Sequence, residues 1–369
     1  MLVKLKNYLD VKRGPGLPSE FYSEKGTLIR LTLGNFNYPN GGFKQNTSKK
    51  DIYYIGPIKD EYILNKDDLI TPLTEQVVGL LGETAWIPES KKYIQNGDIG
   101  LVIPAENKLD KKYCYYLLSS PLIKKQLSAG AQQTKIRHTS PDKIKDCVAP
   151  IPNINLQKKI GNLLYMIDEQ IEKNSNMVEK LQVLALNTFD YFAKDNDISN
   201  SVILKDIIIE KEKSPIQVND IIGNTGNIPF YTSGESILYT NNHLTDGFNI
   251  FLSTGGNAKV QSYYGKVSYS TDTWCISAKN ELQYYLFGYL KKIESQMDKL
   301  YFHGTGLKHL QKPIFLKSII TIPDKELLKK YNDIVKLLYV KISNIRKNTI
   351  NLQNIKNSLL PLLINQQLI

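Results

Sequence analysis

PNINLQKKIGNLLYMIDEQIEKNSNMVEKLQVLALNTFDYFAK, residues 152–194, is the stretch on which the fold turns. Its stripe residues fall at Leu156, Ile160, Leu163, Ile167, Ile171, Val178, Leu181, Thr188 and Phe192, with Asn174 in the missing step. Steps of three and four place them on one narrow side of a helix, the seam pattern of a coiled coil. Gly161 is the one internal breaker. The spacing predicts a single helix of about 35–40 residues, a rod roughly 55–60 Å long at ~1.5 Å per residue.

The pattern occurs twice. Residues 323–363 read PDKELLKKYNDIVKLLYVKISNIRKNTINLQNIKNSLLPLL. Aligning Pro152 with Pro323 gives an offset of 171 that needs no gap. It pairs Leu156 with Leu327, Leu163 with Ile334, Ile167 with Leu338, Ile171 with Ile342 and Leu181 with Leu352. Upstream it sets Ile136-Arg137-His138 against Leu307-Lys308-His309. A shift of two residues then pairs Tyr115-Tyr116-Leu117 with Tyr284-Tyr285-Leu286. The chain therefore reads as two copies of one unit, each a globular segment followed by a long helix. The predicted segments are a globular domain over 1–152, a helix over 153–195, a second globular domain over 196–323 and a second helix over 324–369.

The 369 residues carry a formal charge of +11, a basic balance that suits a polyanionic partner. An Ile-, Asn-, Lys- and Tyr-rich composition gives a basic chain for blander reasons too. Three cysteines, Cys114, Cys147 and Cys275, lie far apart without a CxxC or Cys/His spacing, so neither a disulfide framework nor a metal site is predicted. No apolar run reaches the ~20 residues of a membrane span, and nothing at the N-terminus reads as a signal peptide. The expectation is a cytoplasmic protein.

Both globular segments read as α+β. In the first, short β-rich runs at 28–33, 52–55 and 99–103 alternate with turns, and helical character spans 111–127. In the second, runs at 202–209, 216–222, 227–231, 250–253 and 266–270 behave alike. Two loops hold side chains suited to base edges or phosphates: Gln132, Gln133, Lys135, Arg137 and His138, and then Thr254, Asn257, Lys259, Lys308 and His309. His138 suits a helix-capping role equally. Ser253-Thr254-Gly255-Gly256-Asn257 reads as a phosphate cradle or as a tight hairpin with a glycine bulge, and lacks the P-loop spacing. Tyr263, Tyr264, Tyr269 and Trp274 read mainly as core aromatics. Nucleotide-binding, HExxH, GxSxG and amino-methyltransferase motifs are absent, which argues against a catalytic polypeptide.

With these residues on the page, the whole chain resembles the DNA-specificity subunit of type I restriction–modification systems. The resemblance rests on the globular–helix repeat and on the helix entry Ile151-Pro152-Asn153-Ile154-Asn155-Leu156-Gln157-Lys158-Lys159-Ile160. It rests also on the run Ser253 to Ala258 with Ser270 to Trp274. The second copy departs from the entry motif, with Leu328 for the Gln and Tyr331 for the Ile. The resemblance implies two target-recognition domains that each read one half of a split site on double-stranded DNA. It implies two long helices packed as an antiparallel coiled coil with pseudo-two-fold symmetry, whose length sets the spacer. Along that seam and its partner-binding surface lie Leu156, Gln157, Ile160, Leu163, Ile167, Ile171, Leu181, Leu327, Ile334, Leu338, Ile342 and Leu352. The same helices would dock two modification subunits, which bind S-adenosylmethionine and methylate adenine, and restriction subunits can join. No cofactor is expected on this chain, and no catalytic activity. The rivals are a coiled-coil adaptor without DNA specificity and a part of a self-sufficient methyltransferase or nuclease.

Overall fold

A computed structural model describes residues 2–38, 41–129, 137–194, 200–224, 226–234 and 236–367. The two long helices are continuous: Ile154–Lys194, 41 residues, and Lys325–Ile364, 40 residues. They start on equivalent caps. The Asn153 carboxamide oxygen accepts from the Leu156 N–H at 3.0 Å, and the Asp324 carboxylate from the Leu327 N–H at 2.9 Å. Each side chain satisfies a donor that a helix N-terminus leaves open. Two compact units result, Met1–Glu169 with Asn354–Ile369, and Gln170–Gln353.

The first unit holds an antiparallel four-stranded sheet in the order Leu9–Arg13, Ile99–Pro104, Leu69–Pro72, Ala85–Trp86. A five-stranded sheet lies in the same unit, with Tyr93–Ile94 parallel to Leu28–Arg30. The helical character expected over 111–127 is divided between two helices, Lys111–Leu118 and Pro121–Ala129. Pro121 explains the break, because it tolerates only the first turn of a helix and disfavours helical geometry in the residue before it. The helix Lys111–Leu118 packs against the long helix at Gly161, where a Cβ would stand 2.7 Å from the Tyr113 nitrogen. That close approach is why the long helix contains a glycine there.

The second unit repeats the plan. Its four-stranded sheet runs Ile208–Glu210, Thr273–Ala278, Phe248–Ser253, Val260–Tyr264. Its three-stranded sheet again contains one parallel pair, Ile228–Tyr231 with Ser268–Tyr269. Phe248–Ser253 is buried throughout, as a central strand covered on both faces should be. Equivalent bonds tie equivalent corners: Leu5 N–H to the Cys147 carbonyl, and Leu204 N–H to the Ser318 carbonyl, each 2.9 Å. The strand expected over 216–222 is absent; Val218–Asp220 is a 3₁₀ turn, closed by the Asp220 carboxylate on the Gln217 N–H at 2.9 Å. Tyr263, Tyr269 and Trp274 are buried in the core.

The long helices run antiparallel in both units. In the second, Asn174 Nδ2 donates to Thr349 Oγ1 at 3.1 Å, and the Phe192 ring meets the Tyr331 ring at 5.7 Å. In the first, Lys356 Nζ donates to Asp168 Oδ1 at 2.6 Å, and Ile160, Leu164, Leu360 and Ile364 share one buried cluster. Asn174 thus holds the polar step of the seam. Leu156, Ile160, Ile167, Ile171, Leu181, Leu327, Leu338, Ile342 and Leu352 are buried or half-buried. Leu163 and Ile334 are not: both are exposed, and their neighbours Leu164 and Val335 are fully buried instead. Each pair of adjacent apolar residues admits either phase in sequence, and packing takes the step of four after Ile160 and Tyr331. Gln157 belongs to neither seam nor surface. It is buried, accepts from the Asp110 N–H at 2.8 Å, and donates to the carbonyls of Lys108 and Pro152 at 3.0 and 2.8 Å.

The cysteines are free and buried. Burial pushes the Cys147 thiol up to about 11 and the Cys275 thiol up to about 12, so these two are packing groups, not nucleophiles. Among the described residues, no cluster of three or more metal-ligating side chains occurs and no helix is long and apolar enough to cross a membrane.

Candidate nucleic-acid interface

In the second unit, two segments singled out from sequence converge. Phe302–His303 and His309–Leu310 form a hairpin with His303 opposite His309. Residues 303–309 are all exposed. The turn after Phe248–Ser253 lies alongside: the Gly256 N–H donates to the Lys308 carbonyl at 2.9 Å, and the Leu310 N–H to the Thr254 carbonyl at 3.0 Å. Thr254, Asn257, Lys259, Lys308 and His309 therefore lie on two joined loops.

Their roles differ. Thr254 is a strut, because its hydroxyl donates to the Asp272 carbonyl at 2.7 Å. That carbonyl also takes the Thr254 N–H at 3.2 Å and the Ser233 hydroxyl. Lys259 is half-buried, with its N–H on Ser253 Oγ at 3.0 Å. Asn257, Lys308 and His309 are exposed and face solvent. The Ser253–Asn257 run is a hairpin turn in which Ser253 Oγ bonds the Asn257 carbonyl at 2.7 Å, so its hydroxyl is not offered outward. Two carboxylates on one face of the helix Gln283–Leu300 hold the turn from behind. Asp298 accepts from the Ala258 N–H at 2.6 Å, and Glu294 from the Val260 N–H at 2.7 Å. The spacing of four between Glu294 and Asp298 was the sequence signal for this pair.

In the first unit, Arg137–His138 pairs antiparallel with Thr74–Glu75. The Thr139 N–H donates to the Leu73 carbonyl at 2.8 Å, the counterpart of the Leu310–Thr254 bond. His138 is exposed. Arg137 is partly committed: it donates to Ser128 Oγ at 3.2 Å and lies 3.7 Å from the buried Glu75 carboxylate. A buried carboxylate needs such a cation, and Glu75 was not read from sequence because it sits far from Arg137 in the chain. Gln132, Gln133 and Lys135 lie outside the described residues. What is assembled in each unit is an exposed His on a strand that edges a rigidly held turn, donors suited to phosphate or base contact.

The sequence pattern described as "Type I restriction modification DNA specificity domain" matches residues 3–181 and 199–354, once per copy of the repeat. The chain belongs to that family. The family description names DNA specificity within type I restriction–modification, which favours the specificity reading over the adaptor and self-sufficient enzyme readings. Curated relatives include the type I restriction enzyme MjaVIII specificity subunit of Methanocaldococcus jannaschii, 27% identical over 195 residues, half of this chain and 44% of that protein. The MjaIX specificity subunit of the same organism is 23% identical over 309 residues, 71% of this chain and 70% of that protein. The chain thus spans less than half of the first relative and about two thirds of the second. Among solved structures, the type I restriction–modification S subunit from M. genitalium shares the fold, with a TM-score of 0.62 at 17% identity over 99% of this chain and 96% of that one.

Proposed function

We propose that the two units of this specificity subunit read the two halves of a bipartite sequence on double-stranded DNA, and that the two long helices fix the spacer between them. One observation carries this reading. The units repeat the strand order of the four-stranded sheet, the same corner bonds and the same exposed His beside a held turn, while the loop side chains around that His differ. A shared frame with unlike reading residues is what two unlike half-sites require. Arg137 and His138 in the first unit, and Asn257, Lys308 and His309 in the second, are the contact residues we assign. A net charge of +11 suits the phosphate contacts.

A second feature supports docking of two identical partners. Three exposed apolar positions repeat at the offset of 171. They are Leu163 and Ile334 (44% and 46% exposed), Met166 and Leu337 (65% and 69%), and Leu184 and Ile355 (50% and 48%). Each unit therefore carries the same three-residue apolar set on its long helices. Exposed apolar groups repeated in kind and position fit a protein surface met twice. The partners we assign are two modification subunits, which carry S-adenosylmethionine; a restriction subunit can join the same assembly, in the cytoplasm.

The test is a methylome. The chain is co-expressed with a modification subunit encoded beside it, and methylated adenines are mapped genome-wide. A two-part motif with a fixed unspecified spacer is the expected result. A continuous motif, or no methylation from a stable complex, would overturn the two-reader assignment.

A further inference from the structure

The two units differ in one rigid feature next to the Arg137–His138 strand. In the first, Ile70 pairs with Ala85; in the second, the equivalent Phe251 pairs with Gln261. The intervening loop is thus five residues longer in the first unit. At its tip stand Val77 and Val78, 59% and 62% exposed.

This tip is held firmly. Glu75 is buried, and its Oε2 accepts from the N–H groups of Gly79 and Leu81 at 3.0 and 3.1 Å. The Tyr38 hydroxyl donates to the Val78 carbonyl at 2.9 Å. The Leu80 N–H closes a turn on the Val77 carbonyl at 3.3 Å. Gly79 has φ +98°, and a Cβ there would lie 2.6 Å from the Tyr38 hydroxyl oxygen. The loop neck and the reader strand share Glu75, whose other oxygen faces Arg137. Two β-branched side chains with restricted rotamers are therefore presented to solvent on a braced loop, continuous with a residue assigned to DNA.

We infer that Val77 and Val78 are specificity residues that contact the 5-methyl group of a thymine in the major groove of the half-site read by the first unit. The methyl is the one apolar feature on the major-groove edge of an A·T pair, and aliphatic contact is how it is read. The exposed apolar positions that both units share suit a partner met twice; this tip belongs to one unit only, as a contact to one half-site must. The inference rests on the two-reader proposal above.

The experiment uses the full chain in complex with its modification subunits, wild type and Val77→Ala/Val78→Ala. The motif is first taken from the wild-type methylome; a wild type without a bipartite motif would sink the two-reader proposal itself, before this inference is reached. Duplexes then replace each thymine of the motif, one at a time, with deoxyuridine. Wild type should bind about fourfold more weakly at one or two thymines of a single half, the scale of one lost methyl contact. The double variant should be indifferent at those positions, unchanged at the other half, and methylate a motif relaxed there. Equal deoxyuridine sensitivity in both proteins, or insensitivity in wild type, would overturn the inference. So would a variant that sheds its modification subunits, since the tip would then be a protein contact.

Discussion

The first and second units solve one joint differently. Where each long helix passes the start of the helix before it, a backbone end must be satisfied. The first unit uses Gln157, whose carboxamide bonds Lys108, Asp110 and Pro152, with Ile160 and Gly161 packed behind. The second has Leu328, Tyr331 and Asn332 at those positions. There the Asn332 amide donates to the Glu281 carbonyl at 2.9 Å and the Tyr331 hydroxyl to the Tyr284 carbonyl at 3.2 Å. The polar link has moved by about one helical turn, and the side chains around it have changed size to match. Duplication has kept the joint and not the residues, because what a buried joint demands is a paired donor and a filled volume.

The sharpest way to break this comparison is at its largest buried group. Tyr331 is fully buried and lies against the rings of Phe189, Phe192 and Tyr285. Tyr331→Ala should cost ~3–5 kcal/mol, and Ile160→Val in the first unit only ~0.5–1.5 kcal/mol. Denaturant unfolding followed by a probe in each unit would show the second unit melting early in the former. Equal, small shifts for both would mean that the second joint is not packed as described.

Gln157→Leu sharpens the comparison by giving the first unit the residue of the second without the compensating Asn. It strands up to three backbone groups and should cost ~1–3 kcal/mol. Adding Gly161→Asn would not rescue it, because a Cβ there collides with the Tyr113 nitrogen. A neutral Gln157→Leu would show that water replaces the amide.

At the surface the units should behave alike. Leu163→Ser with Met166→Ser in the first, or Ile334→Ser with Leu337→Ser in the second, should leave stability within ~0.5 kcal/mol. Each pair should remove one modification subunit, read by native mass spectrometry as a loss of one mass step. Loss of both partners from one pair of changes, or of neither, would contradict two equivalent docking sites.

What sequence made legible follows the same division. The helices and the repeat were readable because amphipathic period and register survive divergence; the caps at Asn153 and Asp324 were seen only in the structure. The seam phase at Leu163 and Ile334 was not, since adjacent leucine-like residues fit either phase until a neighbour packs. Of the site, the Lys308–His309 hairpin and the Ser253–Asn257 turn were singled out separately and the structure brings them together, with Thr254 a strut on Asp272. Glu75 acts on backbone N–H groups across a loop, which no local pattern announces, and the four-residue spacing of Glu294 and Asp298 was a local signal that went unread. Val77–Val78 was not singled out from sequence; only its exposure distinguishes it.

The smallest expected effect is in acid. The first unit fixes the helix Pro141–Asp146 with two exposed ion pairs, Lys4–Asp146 at 2.9 Å and Lys145–Asp10 at 3.3 Å. The second has Ile203 and Ile209 in place of Lys4 and Asp10, and Leu316 in place of Lys145. The Val11 N–H, helped by Lys145, holds the Asp10 carboxyl below its ordinary value, and Lys4 does the same for Asp146. A carboxyl depressed by folding contributes stability above its unfolded value of ~3.9 and loses that contribution as pH falls through the lower, folded value. Amide exchange in Pro141–Asp146 should therefore quicken only below about pH 4, while the equivalent Lys312–Leu316 helix is unaffected. Asp10→Asn with Asp146→Asn should quicken exchange slightly at neutral pH and converge with wild type once the native carboxyls are protonated. The effect is slight because exposed pairs are screened and entropically costly to hold. A gap between variant and wild type that persists in acid would mean that these side chains act through packing and not through charge.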